Sequence, residues 1–181
     1  MNLAKPLPGR KFSHVRDGPV SYDIIYNYDF GQQTFRIMRH MPFIEHEFIV
    51  GPLPRQGIEV IARFNTNVKS GDEFYTEMNG RGLIKRKLNY RSDWEFEQTE
   101  PVAGNYYPVN SEILIRDDQT EFAVVPDRAQ GGTSLAPGQI ELMVLRSTTL
   151  DDGRGVDEPL NDRGQLGTGL IVKGSHLLHF R

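Results

Sequence analysis

The sequence predicts a mainly β protein folded as an antiparallel β-sandwich, and three observations predict it. Apolar residues recur with a period of two wherever a period can be read, turn-forming residues separate those runs, and no segment carries a convincing helical stripe. Gly 18 and Pro 11 together make 29 of 181 residues. That density excludes a helix bundle, because both residue types interrupt helices.

The elements follow in chain order. Residues 1–30 are dotted with Pro and Gly and are expected to be an irregular N-terminal segment, ahead of a sandwich domain over residues 31–181. Gly31 to His40 reads better as a strand than as a helix. Ile44, His46, Phe48 and Val50 alternate with Glu45 and Glu47 until Gly51-Pro52 closes the run, and Ile58, Val60, Ala62 and Phe64 alternate with Glu59, Arg63 and Asn65. Such alternation sets one side of a strand on a core and the other toward water. Asn79-Gly80, between Phe74-Tyr75-Thr76 and Leu83-Ile84-Lys85, is a hairpin turn, since both residues accept positive φ. Tyr107, Val109, Ile113 and Ile115 share a parity, Asp117-Asp118-Gln119 separates strands at Ser111–Ile115 and Glu121–Val125, and Pro137-Gly138 turns the chain into Ile140, Leu142 and Val144, which alternate with Glu141. Residues 151–169 form a long polar loop, and long loops in compact domains concentrate function.

Composition narrows the function. A net charge of −3 and a pI near 6.0 argue against a nucleic-acid partner. No run approaches the roughly 18 apolar residues of a membrane-spanning helix, so no membrane partner is expected. Cys 0 removes disulfides, thiolate catalysis and zinc-finger chemistry. Met1–Lys11 has no apolar h-region, so no signal peptide is expected there, and Asn65, Asn79 and Asn110 each lack Ser or Thr two positions on.

The chemistry-bearing residues are few. Asp151, Asp152, Asp157 and Glu158 could supply a carboxylate pair for glycoside hydrolysis, but adjacent acids in a Gly-rich loop more often cap backbone amides. His176 and His179, three apart on a strand, point to opposite faces and do not converge on a metal, and His46 reads as a buried, hydrogen-bonded core residue. Gly131-Gly132-Thr133-Ser134 lacks the Lys and helix of a phosphate-binding loop, so it is a weak signal for a phosphate site. Tyr106 is free by parity to stack on a sugar ring, or simply to pack; Trp94 is a second aromatic of that kind.

Five strings carry a resemblance: Glu73-Phe-Tyr-Thr-Glu-Met-Asn-Gly-Arg81, Gln98-Thr-Glu-Pro-Val-Ala-Gly-Asn-Tyr-Tyr-Pro-Val-Asn110, Asp127-Arg-Ala-Gln-Gly-Gly-Thr-Ser-Leu135, Gly138-Gln-Ile-Glu-Leu-Met-Val144 and Asp151-Asp-Gly-Arg-Gly-Val-Asp-Glu-Pro-Leu160. In this order and spacing they resemble the C-terminal, β-rich region of glycoside hydrolase family 38, the lysosomal-type α-mannosidases, over residues 43–165. The resemblance implies part of a galactose-mutarotase-like super-sandwich, with Gly131-Gly132-Thr133-Ser134 as a tight turn within it. It also implies a zinc-dependent retaining enzyme that removes terminal α-mannosyl residues from N-glycans in the lysosome or secretory pathway.

In that family the zinc ligands and both catalytic aspartates belong to an N-terminal α/β catalytic domain that this chain does not contain. No catalytic residue and no metal site are therefore expected here, the missing domain is the expected partner, and the isolated chain is expected to be inactive. The resemblance makes Arg154, flanked by Gly153 and Gly155, the arginine that reaches toward a mannose-containing glycan, with Asp152 and Tyr106 as further substrate-binding candidates. The alternative for Arg154 is that it pins its own loop through Asp151 or Asp152. The sequence departs from the family pattern at Glu77-Met78, at Leu145-Arg146-Ser147 and at Asp157. A different class remains open: a freestanding carbohydrate-binding sandwich without hydrolytic activity.

Overall fold

A computed structural model describes residues 4–95, 97–151, 153, 155, 157–165 and 167–181. The chain divides into two compact units, residues 1–59 with 145–175 and residues 60–144 with 176–181. Among the described residues every regular element is a strand, apart from a three-residue 3-10 turn at Ala103–Asn105.

Unit one begins with an antiparallel meander of β1 (Lys11–Asp17), β2 (Ser21–Tyr28), β3 (Gly31–Met38) and β4 (Phe43–Val50). Residues 11–28 are thus paired strands and not irregular chain. Pro6, Pro8 and Pro19 stand outside the strands, and Gly18-Pro19 closes the first hairpin through Gly18 N–H to Ser21 O at 3.0 Å. Every residue of β1 is exposed, so it lacks the one-sided apolar pattern that marks a half-buried strand. Pairing continues through Val15↔Ile24, Ile24↔Phe35 and Phe35↔His46. His46 is buried as expected, stacked on Phe35 at 4.8 Å with its Nε2 3.3 Å from Gln33 Oε1.

Unit two is a sandwich of two antiparallel sheets. One runs β13 (Val172–Phe180), β10 (Glu121–Pro126), β9 (Ile113–Arg116), β6 (Glu73–Glu77) and β7 (Leu83–Lys87); the other runs β5 (Ile58–Asn65), β12 (Gln139–Ser147), β11 (Gln130–Thr133) and β8 (Tyr107–Val109). The shared parity of residues 107–115 conceals a change of sheet, because Asn110-Ser111-Glu112 carries the chain from β8 to β9. Asn79 and Gly80 take φ of 48° and 72° in the β6–β7 hairpin, as their residue types require. Phe64 of β5 meets Phe122 of β10 edge-on at 6.3 Å, and Phe74 meets Tyr107 at 5.8 Å.

Gly131 and Gly132 lie within strand β11, not in a turn. The physical reason is packing: a Cβ at position 132 would stand 2.6 Å from Val109 Cγ2, 3.0 Å from Leu142 Cδ2 and 3.2 Å from Ile113 Cδ1.

His176 and His179 diverge as β13 dictates, His176 fully buried and His179 partly exposed. Gln130 donates its Nε2–H to Met143 O at 2.8 Å, which leaves its Oε1, 2.8 Å from His176 Nε2, to accept the imidazole proton. Burial pushes the His176 pKa down from 6.5 to about 4, with Asp127 opposing and Arg128 reinforcing the shift. The unfolded chain therefore takes up a proton near pH 6.5 that the folded chain refuses until about 4, so stability is complete above that window and falls as pH drops through it.

Two outcomes are expected. The urea midpoint should fall between about pH 7.5 and pH 5, by about 2 kcal/mol of stability, and His176→Gln should flatten that slope. Gly132→Ala should destabilise unit two by about 1–3 kcal/mol in the same measurement, because the added methyl overfills the core.

Candidate functional site

Asp152 and Arg154, two of the residues singled out from sequence, lie outside the described residues. Their neighbours define the local backbone. Asp151 Oδ2 accepts the Gly153 N–H at 2.6 Å, so this acid caps an amide, the alternative weighed against a catalytic pair. Gly153 and Gly155 take φ of 71° and 114°, and a Cβ at either would meet no atom within 4 Å. The two glycines provide left-handed backbone geometry; within this chain they mark no close approach to another surface.

The next part of the same segment walls a groove of about 370 Å³ in unit one. Its sides are residues 53–56, the end of β12 at 145–147, and residues 160–163 and 167–170. Backbone bonds hold these walls: Gly57 N–H to Ser147 O at 2.7 Å, Thr148 N–H to Leu160 O at 3.1 Å and Gly169 N–H to Arg163 O at 2.9 Å. Arg55, Arg146 and Arg163 all face the groove. Sequence reasoning missed it because its residues come from three separated stretches, none carrying a motif.

Tyr106 belongs to unit two and is committed elsewhere. Its hydroxyl donates to Glu141 Oε1, and its ring covers Gly131, where a Cβ would stand 3.2 Å from Tyr106 Cδ1. Arg63 donates from Nε to Glu141 Oε2 at 2.7 Å and from Nη2 to the same oxygen. Glu141, expected to face water, is 3% exposed. The cause is a two-sided cover: Ile140 and Leu142 face the sandwich interior, while Arg63 and Tyr106 close over the other side of β12. Thr133, paired with Glu141 in the β11–β12 register, is likewise buried, and its Oγ1 has no hydrogen-bond partner. The hydroxyl of Tyr106 is thus engaged by Glu141, and its ring lies against Gly131.

Among the described residues, no group of three or more His, Asp or Glu side chains is placed to hold a metal ion. A zinc ion of the kind the family resemblance implies finds no fitting donor set in them.

The chain matches the family model described as the glycosyl hydrolases family 38 C-terminal domain over residues 2–154, which takes in the N-terminal strands that lie outside the resembling strings. It is 43% identical to the lysosomal alpha-mannosidase of Homo sapiens over 183 residues, covering 98% of this chain and 18% of that protein. It is 49% identical to the lysosomal alpha-mannosidase of Bos taurus over 81% of this chain and 15% of the relative, and 44% identical to the alpha-mannosidase of Canavalia ensiformis over 81% and 16%. The chain thus spans less than a fifth of the length of these relatives. The crystal structure of an alpha-mannosidase from Enterococcus faecalis V583 superposes with a TM-score of 0.66 at 11% identity, over 96% of this chain and 22% of that one, a likeness of fold.

The buried carboxylate gives the test of this region. Arg63→Ala should cost about 3 kcal/mol in chemical denaturation by leaving Glu141 buried without its cation, whereas Arg63→Ala combined with Glu141→Gln should recover part of that loss.

Proposed function

The chain belongs to the family 38 glycosyl hydrolases as their C-terminal domain, and we propose that it serves as that domain in a zinc-dependent, retaining α-mannosidase acting on terminal α-mannosyl residues of N-glycans. The observation that carries this reading is the pairing of 43% identity across 98% of this chain with coverage of only 18% of the relative. Coverage of only 18% of the relative supports assigning the catalytic carboxylates and the zinc to the remainder of such an enzyme. That remainder, an α/β catalytic domain, is the proposed partner, and a lysosomal or secretory location follows from the naming of the mammalian relatives. No helix among the described residues is long and apolar enough to cross a membrane.

In this reading the domain has two duties. It supplies an interface to the catalytic domain, and it presents residues 151–155 so that Arg154 and Asp152 reach the substrate region. A guanidinium suits this task because its planar fork of donors engages sugar hydroxyls or a carboxylate in a defined orientation. The left-handed conformations of Gly153 and Gly155 shape the backbone on both sides of Arg154. Retaining hydrolysis needs two carboxyl groups about 5–5.5 Å apart across the scissile bond, and this loop is not asked to supply them.

Purified chain supplied with zinc should release no p-nitrophenol from an aryl α-mannoside, and turnover by the chain alone would overturn the division of labour. Joined to the catalytic domain, the enzyme should turn over, and Arg154→Ala should lower kcat/KM by about tenfold or more through lost positioning. Saturable binding of mannose-rich glycan by the isolated chain would point instead to a freestanding binding module.

A further inference from the structure

We propose that the groove of unit one is a binding site for a small ligand carrying an oxyanion, a phosphate monoester or an organic carboxylate, held by Arg55, Arg146 and Arg163. The three residues all lie outside the five resembling strings, and the site is separate from the proposed glycosidase reading.

The argument begins with charge. The chain as a whole carries −3, and several of its arginines are matched to acids: Arg36 to Asp23, Glu45 and Glu47, Arg63 to Glu141, and Arg181 to Glu112 and Glu121. The groove departs from this pattern. Among the described residues, Arg55 and Arg163 form no ion pair, and Arg146 gives Nη2 to Glu59 Oε1 at 3.1 Å while its other donors remain. Asp162, the acid on the same wall, directs Oδ1 to the Gly164 N–H at 2.7 Å. Three guanidiniums therefore line one concavity with one carboxylate that is turned to the backbone. Like charges brought together in a groove repel, and an oxyanion relieves that repulsion while accepting from the forked donors, the geometry in which Arg binds phosphate and carboxylate best.

Shape agrees with charge. A volume of about 370 Å³ falls within the range of small-molecule pockets. Leu145 and Leu160 give the lining an apolar part for the body of the ligand. The walls are already built, since backbone bonds tie residues 57, 148 and 169 across the groove and a Cβ at Gly169 would stand 3.3 Å from Pro52 Cβ. A preformed groove binds without first ordering its own backbone.

The test is titration of the 181-residue chain with inorganic phosphate at constant ionic strength against chloride, read by calorimetry and by the thermal midpoint. Saturable binding is expected, weakened about tenfold or more in Arg55→Ala/Arg163→Ala and unchanged in Arg39→Ala, an arginine of the same unit paired with Asp17. Both substituted residues are exposed, so the midpoint of the double variant without phosphate should stay at or above the parent's, above it where their mutual repulsion is relieved; should it fall, Arg163→Gln alone replaces it and must weaken binding. Phenyl phosphate and benzoate, titrated in parallel, separate the phosphate from the carboxylate source by which one saturates more tightly. A linear, non-saturating response, or saturable binding equal in the parent and the arginine variants, would overturn the proposal.

Discussion

Where β11 crosses the core of unit two, the position of residue 132 lies 2.6 Å from Val109 Cγ2 and 3.2 Å from Ile113 Cδ1, measured to where a Cβ would stand. Val109 belongs to the same sheet and Ile113 to the facing one, so this spot sets how closely the two layers approach. With no side chain there, Val109, Ile113, Ile140 and Leu142 all reach zero exposure. Interiors packed at crystal-like density lose stability to added volume as well as to lost volume. The strands of both layers thus depend on one residue whose contribution is the space it leaves.

That close packing raises the stakes for every polar group sealed with it, because unpaired buried polar atoms are costly. The solutions are local and mutually constraining. Gln130 is used at both ends, donating to Met143 O and accepting from His176, so a single amide orients the imidazole and ties β11 to β12. Glu141 is met by Arg63 from β5, the strand beside β12, and by Tyr106 from the approach to β8, which lies beyond β11. Outside the core, the partly exposed Asp117 receives the backbone amides of Lys69, Gln119 and Thr120, and these bonds hold its carboxyl below the usual carboxylate range.

Alternation made the sandwich legible, because a half-buried strand writes its own two faces into the sequence. It read correctly for residues 44–50 and 58–65, and the Asn79-Gly80 hairpin followed from backbone sterics alone; the strand at 121–125 is marked by the turn before it and buries three consecutive residues, 122–124. It failed where burial is not one-sided. Strand β1 is exposed throughout and gives no pattern, whereas Glu141 is buried although its residue type says water. The Arg63–Glu141 pair spans 78 residues, a separation at which no local rule relates one residue to another. The five resembling strings pointed to the right family, and they cover strands β6, β8, β11 and most of β12 as well as the loops beside them. They passed over the arginine groove, because its chemistry arises from the meeting of three stretches that are unremarkable when read singly.

Unit one uses glycine in two physically different ways. At Gly169 the backbone has φ 107° and lies against Pro52, so the residue fastens a loop to its own unit. At Gly153 and Gly155 the backbone is equally left-handed, but the space around each is open. The residue types specify such a backbone, and Asp151 caps the Gly153 amide. In the proposed enzyme, the surface that receives this loop lies outside the chain. A loop already bent by its own covalent chemistry pays less ordering entropy on docking than one that must be shaped by its partner.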